Sequence, residues 1–474
     1  MTTECTTATL ALEEIGRRNV EVDFSGGQLS SDGGGLLLRE VDRRLRLTKR
    51  LAQCFADHRD PDLIDHSVEE IAAQRVIGLA LGYEDLNDHD TLSRDPLMAT
   101  LIGKSDPHGK NRRHKKDRGQ PSASASTLGR VERTKEDATD KSRYNKVVCD
   151  FDALRDLFVD IFVERMTSSP SVVVLDLDPS DIPLHGTQEE RFYHGHYGHY
   201  CYLPMYLFCG EHPLAVVLRP SNIDGAKGAA DMLGPVVQRL RAQWPSVQII
   251  MRGDSGFCRE ELMSFCEKNG IDYVLGVARN TRLEAKIATQ MEQARREHLQ
   301  TKRSARRFRD FRYRTRDSWS RSRRVVGKAE YLDKGPNPRF VVTTLPASQY
   351  EKTYLYEELY CARGEMENRI KEQQLDLFGD RASCHTFRGN AIRGWFSLAA
   401  HLLIVGLREL ALTGTELAKA QASTLRVRLL KIGAQVTVSV RRVYVRLSSA
   451  FPLQHIFAQA VERLRAPPLA MSSA

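Results

Sequence analysis

Three acidic positions in this chain lie where a sheet and a late helix could bring carboxylates together. SVVVLDLDP (171–179) is a β-branched run ending in Asp176 and Asp178, VQIIMRGD (247–254) ends on Asp254, and YCARGEMENRIKEQQ (360–374) carries Glu365 and Glu367 in a polar helical pattern. Converging carboxylates are hard oxygen donors suited to Mg2+. Two such ions can activate an attacking oxygen and stabilise a leaving one, which is what cutting and joining polynucleotide strands requires. Each aspartate alone also suits an end-of-strand cap, and a solvated helix laced with i,i+4 pairs would read like the glutamate stretch. On the first strand Asp176 and Asp178 share one face and stay open as alternatives.

Helical geometry separates the two glutamates. At 3.6 residues per turn, Tyr360, Arg363, Glu367, Lys371 and Gln374 fall within an arc of roughly 80°, with Glu365 on the far side. Glu367 is therefore the inward candidate, on a face of metal and phosphate ligands.

The elements that must position these residues follow from periodicity. Residues 171–280 read as β-β-β-α-β-α-β, antiparallel strands first and βαβ crossovers after, an order that suits a mixed α/β sheet such as a ribonuclease H-like core. The helix expected to close that core waits until about Tyr356, so 281–350 is predicted to be an insertion forming a small β subdomain, and 351–415 the last part of the core with the glutamate helix. Upstream, 1–103 is predicted helical, with Asp65 or Ser67 placed to cap. Residues 104–126 are predicted to be a mobile basic loop, 127–170 connecting helices, and 416–474 a C-terminal hairpin and tail whose alternation changes phase at Arg441 and Arg442.

Composition favours a polyanionic partner. With 474 residues there is room for several domains, and 70 Lys and Arg against 61 Asp and Glu leave a net charge of +9 concentrated in patches. Nine scattered cysteines without a CxxC pair suit a reducing compartment. The absence of a signal-like N-terminus or a run of about 18 apolar residues predicts a soluble, intracellular protein with no membrane partner.

Strand-end Asp, RGDSGF with Asp254, and YxxRxxxE at Tyr360, Arg363 and Glu367 resemble the DDE transposases of bacterial insertion sequences, in the branch with a β-rich insertion before the catalytic Glu. LDLDPSDIPLHGTQEERF, HYCYLPMYLFCG, RPSNIDGAKGA, RGDSGFCREELM, RGEMENRIKE and LLKIGAQVTVSVRRV resemble the family called insertion sequence 1380 over nearly the whole chain. The resemblance implies a ribonuclease H-like mixed-sheet core behind an α-helical DNA-binding domain. It implies a transposase that binds terminal inverted repeats, cleaves the strand ends and joins them to target DNA. Two Mg2+ ions, replaceable by Mn2+, would be held by Asp178, Asp254 and Glu367, with Asp176 the alternative first Asp. Asp178 is preferred because a small hydroxyl residue tends to follow the first Asp, as Ser180 does here. A homodimer on paired ends and a cytoplasmic, nucleoid-associated location in a bacterium are further implications. Tyr360 and Arg363 match the signature, but Gln374 stands where a phosphate-gripping Lys is expected, and Lys371 is the candidate substitute. A catalytically silent DNA-binding descendant and a ribonuclease H-like nuclease are the competing functions.

Two other features carry chemistry. The insertion interleaves Arg312, Arg314 and nine further Lys and Arg residues with Phe308, Phe311, Tyr313 and Trp319, the combination that tracks phosphates and stacks bases. The resemblance extends this to Trp319 as the aromatic that holds a flipped base. His194, His196, His199 and Cys201 in RFYHGHYGHYC alternate as zinc ligands can, but structural zinc draws on two separated pairs, so polar packing beside the sheet is preferred.

Overall fold

β-branched runs between turn signals become the centre of the larger of two compact units. The computed structural model describes residues 9–466. One unit is built mainly from Val131–Val405 with Gln53–His58, the other from the segment ending at Ala52, Arg59–Arg130 and the segment from Gly406 onward. Cys5 lies outside the described residues, and the eight described cysteines are free thiols.

In the larger unit, helix α1 (Phe151–Arg165) is capped by Asp150, whose carboxylate accepts from the amides of Asp152 and Ala153. It leads into β1 (Val172–Pro179). β2 (Met205–Cys209) and β3 (His212–Val217) follow as an antiparallel hairpin, and β2 pairs antiparallel with β1. Helix α2 (Ala229–Gln243) crosses to β4 (Gln248–Gly253), and α3 (Glu260–Lys268) crosses to β5 (Asp272–Val277). β1, β4 and β5 run parallel. Covered on both faces, such strands need apolar residues throughout, hence the near-continuous VVVL and QIIM runs. Parallel neighbours also end at the same edge of the sheet, which brings the residues after β1 and β4 together.

The insertion differs from the expected separate subdomain. It opens with helices, including α4 (Ala288–Thr301), whose only buried residues are Ala294 and His298, too sparse an apolar stripe to stand out by period. Its strands β6 (Ala305–Tyr313), β7 (Arg323–Leu332) and β8 (Arg339–Thr343) then continue the central sheet, β8 pairing antiparallel with β5, to give the order β3-β2-β1-β4-β5-β8-β7-β6. Helix α5 (Gly364–Lys371) carries the candidate glutamates, and α6 (Phe387–Leu407) follows. With its continuation to Leu412, α6 is long and apolar enough to cross a membrane, yet 89% of its apolar window is buried within the protein, as in a core helix.

In the other unit, Ser67 rather than Asp65 caps the helix Val68–Leu81, in a reciprocal capping box with Glu70. The C-terminal strands Ala434–Val438 and Val443–Leu447 form a hairpin whose turn sits at the predicted phase change, and the first of them pairs with Leu29–Ser30. The C-terminal segment thus belongs with the N-terminal one. The basic loop is pinned rather than free. Gln74 bonds both the amide and the carbonyl of Ala123 at 2.8 and 2.7 Å, and Arg112 Nη1 donates to His66 Nε2 at 2.9 Å.

His66 and His89 give this unit a pH dependence. Burial, with Lys104, Arg112 and Arg59 adding to it at His66 and Arg75 at His89, depresses both imidazoles from 6.5 to about 3. The unfolded chain then takes up protons first on acidification, so stability present at neutral pH is lost as pH falls from about 6.5 towards 3. The Tm is expected to drop through that window, less steeply in a His66→Gln variant.

Candidate active site

The parallel ends of β1 and β4 place two aspartates side by side. Asp178 lies near the end of β1 opposite Tyr206 of β2, and Asp254 follows Gly253 at the end of β4. Asp254 turns the chain, its Oδ1 accepting from the Gly256 amide at 2.8 Å. Gly276 on β5 is needed here, because a Cβ would lie 2.7 Å from the Tyr360 hydroxyl and 2.8 Å from the Ser255 amide nitrogen.

The third carboxylate arrives on α5. The stretch before and after it is not a uniform α-helix, since Leu355–Tyr360 and Glu372–Asp376 are π-helical and Cys361–Arg363 is a 3-10 turn. Such turns shift the ideal phase and concentrate at functional sites. Both glutamates are exposed, and α5 buries Met366 and Ile370. What separates Glu367 from Glu365 is Arg363, whose guanidinium donates to Glu367 Oε1 and to Asp178 Oδ2, each at 3.2 Å.

Arg363 is thus the hub of the site. Burial would lower its pKa, but Asp178, then Tyr360, Glu367 and Asp254, outweigh it and raise it. Burial, relieved in part by Arg363 but reinforced by Asp254, Glu367 and Asp176, pushes Asp178 up to about 7. Burial and the nearby Asp254 also raise the Tyr360 phenol against the influence of Arg363. Beside these groups a cavity of about 470 Å³ is lined by Asp254, Ser255, Gly276, Arg279, Arg339 and Tyr360. Arg279 and Arg339 were not singled out from the sequence, since neither belongs to a basic run.

Asp176 serves a different purpose. Arg252, its register partner on β4, grips both carboxylate oxygens at 2.7 Å and donates to the Leu359 carbonyl at 2.6 Å. This buried pair ties β1 and β4 to the backbone just before Tyr360 and leaves Asp178 as the first-strand carboxylate facing Arg363.

Gln374 and Lys371 also part company. Gln374 is buried, accepting from Ser180 Oγ at 3.1 Å and donating to the Asp181 carbonyl at 3.2 Å. It fastens the end of the glutamate helix to the chain leaving Asp178. Lys371 is exposed at the end of α5. Gln374→Ala is expected to cost about 1–3 kcal/mol through the unpaired buried groups it leaves, read as a lowered Tm, and to slow any reaction that depends on the Asp178–Glu367 spacing.

Among the described residues no group of three or more His, Cys, Asp or Glu is drawn together as a ready-made metal cage. The donor chemistry nonetheless fits a hard divalent cation. Asp178, Asp254 and Glu367 supply only oxygens, and such a cation would offset the burial, and after it the repulsion from Asp254 and Glu367, that raise Asp178.

Part of the basic insertion is neutralised by ion pairs. Arg323 is buried between Glu260 and Glu267 of α3, and Arg324 is held by Asp310. Arg312 and Arg314 remain exposed at the β6 end of the hairpin, Arg314 Nε donating to the Trp319 carbonyl at 3.1 Å. Trp319, which the resemblance implies holds a flipped base, is enclosed in this structure. It is 4% exposed, edge-on to Tyr313 at 5.7 Å and covered by the Arg323 guanidinium at 5.6 Å. The histidines lie on a small hairpin, Phe192–His194 with His199–Tyr202, where His199 Nε2 meets Asp181 Oδ2 at 2.8 Å and Cys201 is buried.

Comparison with known proteins bears on the reaction class. A search of the curated proteins gave no match. The cryo-EM structure of a piggyBac transposase synaptic complex with hairpin DNA is similar with a TM-score of 0.39 and 11% identity, covering 93% of this chain and 83% of that one. The family described as transposase DDE domain group 1 matches residues 12–469, and the DDE families are polynucleotidyl transferases and endonucleases that use divalent metals. The chain therefore belongs to the transposase DDE domain group 1 family.

Proposed function

We propose that the protein binds the terminal inverted repeats of a bacterial insertion sequence of the 1380 type and catalyses metal-dependent cleavage and strand transfer into target DNA. The observation that carries this reading is the gathering of Asp178, Asp254 and Glu367 around Arg363 at the edge of a mixed sheet, in a chain of the DDE family. The order β3-β2-β1-β4-β5, with β2 antiparallel to β1 and β4 and β5 parallel to it, supports a ribonuclease H-like core. A helical N-terminal DNA-binding region, a homodimer on paired ends and a cytoplasmic, nucleoid-associated location belong to the same reading.

Asp178, Asp254 and Glu367 would hold two Mg2+ ions, or Mn2+, which when bound supply activation of the attacking oxygen and neutralisation of charge on the leaving one. The chain's own residues position the strand. Arg363 offers a planar fork suited to phosphate, and Tyr360 with Arg279 and Arg339 lines the neighbouring cavity where the backbone would run. The Asp176–Arg252 pair and Gln374 hold the strand ends and helix in register, so that binding energy goes into orientation. Purified protein incubated with Mg2+ and a labelled duplex bearing the element's own end is expected to nick it and join the 3′ hydroxyl to a second duplex. Failure of the unmutated protein to cleave would return the chain to the silent DNA-binding reading, and cleavage without joining to the nuclease reading.

A further inference from the structure

An antiparallel hairpin near the start of the described residues takes no part in the carboxylate site. Leu10–Ile15 pairs with Arg18–Val22, and among the described residues no other strand joins them. Residues directly opposite share a face, so Leu10 with Val22 and Leu12 with Val20 line one side, and Ala11 with Glu21 the other. From the Leu12–Val20 pair to the Ile15–Arg18 pair, three steps along the first strand answer two along the second. That bulge sets Ile15 on the side of Leu10 and Leu12. One face thus gathers five apolar side chains, and the reverse carries Ala11, Asn19 and Glu21.

The apolar face is uncovered. Leu10, Leu12, Ile15 and Val22 are 52, 58, 73 and 38% exposed. A lone two-stranded hairpin is marginal in water, whereas three or more strands sharing an apolar face are stable on their own. The two outer edges are not equal as places to add strands. Leu10–Ile15 is interrupted by the bulge and carries Glu13 and Glu14 in succession, and both features discourage pairing. Arg18–Val22 is regular, free of Pro and Gly, and open along its outer edge.

We propose that Arg18–Val22 is where a second copy of this chain docks, the two strands pairing antiparallel about Val20 to make one four-stranded sheet. This rests on the homodimer of the proposed function and gives it a surface. A two-fold axis normal to the sheet keeps every side chain on its own face. It sets Val20 against its own counterpart, Arg18 against Val22 of the second copy, and Asn19 against Glu21, an amide donor facing a carboxylate. Carried further, the same register brings Arg17 of the turn to Asp23 beyond the strand. Both are exposed, and the Asp23 carboxylate accepts from the Ser25 amide at 2.9 Å and hydroxyl at 2.6 Å. Shifting by two residues sets Glu21 against its own counterpart in one direction and strips Asp23 of its cation in the other. Charge therefore selects the register, and the apolar side chains shield one another across the new strand pair.

The test is sedimentation of the full chain without DNA across a wide concentration range. Wild type is expected to be a dimer, and Val20→Asp, which opposes two carboxylates on the axis, a monomer that keeps its Tm. Because Val20→Asp also weakens the hairpin itself, the charge pair decides the matter. Arg17→Asp and Asp23→Arg, each setting like charges together, are expected to weaken the dimer roughly tenfold. The double variant Arg17→Asp/Asp23→Arg is expected to restore it within a fewfold, which a hairpin acting only within its own chain would not do. A wild-type monomer overturns the proposal, as does a dimer that survives Val20→Asp or a double variant as weak as the singles. Assembly on the element's end and nicking in Mg2+ are measured separately. A chain that dimerises only on DNA overturns this surface and leaves the homodimer standing, and one monomeric on DNA as well overturns both. Dimerisation through the hairpin without nicking supports this surface and overturns the catalytic reading.

Discussion

Glu367→Gln is expected to lower Mg2+-dependent nicking by on the order of a thousandfold or more, the loss that follows when a transition-state contribution of several kcal/mol is removed. The change keeps size and helix propensity and removes only the charge. Glu367 is exposed, with Arg363 its hydrogen-bond partner, so the Tm is expected to move little, as for surface substitutions generally. Activity and stability therefore separate cleanly at this position. Glu365→Gln, on the same helix but without the Arg363 contact, serves as the matched control and is expected to retain activity within a fewfold. Nicking that survives Glu367→Gln at the wild-type rate would remove this residue from the site.

Arg252→Ala is expected to cost about 3 to 5 kcal/mol, because it leaves the Asp176 carboxylate buried and unpaired. For a unit of this size that corresponds to a Tm lowered by roughly 10 °C. The same logic divides the two first-strand aspartates. Asp176→Asn weakens the double grip on Arg252 and loses stability, whereas Asp178→Asn relieves repulsion from Asp254 and Glu367 and is expected to keep its Tm while losing nicking. Thermal melts of the two variants with a nicking assay beside them decide the matter. A stable Asp176→Asn protein that cannot nick would reverse the assignment.

Much of the sheet was legible because a strand covered on both faces has to be apolar along its buried length, and VVVL, IIM and YVLGV are. The hairpin turn at Arg441 and Arg442 was legible for a similar reason, since a change of alternation marks where the chain reverses. The insertion's helices were not, because α4 buries too few side chains to impress a period. Its strands were recognisable, but nothing in RFVVTTLP says that it pairs with DYVLGV rather than closing a sheet of its own.

By itself the sequence determined the local elements and the chemical types on offer: carboxylates at strand ends, a polar helix with Tyr360, Arg363 and Glu367 one turn apart, and an excess of cations. Those properties depend on neighbours within a few residues, where periodicity and propensity act. Only the tertiary structure decided which Asp faces Arg363 and which is spent on Arg252, that Gln374 is buried as a fastening, and that Trp319 is enclosed. The first two turn on partners distant along the chain, supplied by sheet register or by the seating of one helix, and the third on the strand pairing that brings Tyr313 and Arg323 together around Trp319. Burial and pairing, not residue type, then set what each side chain can do.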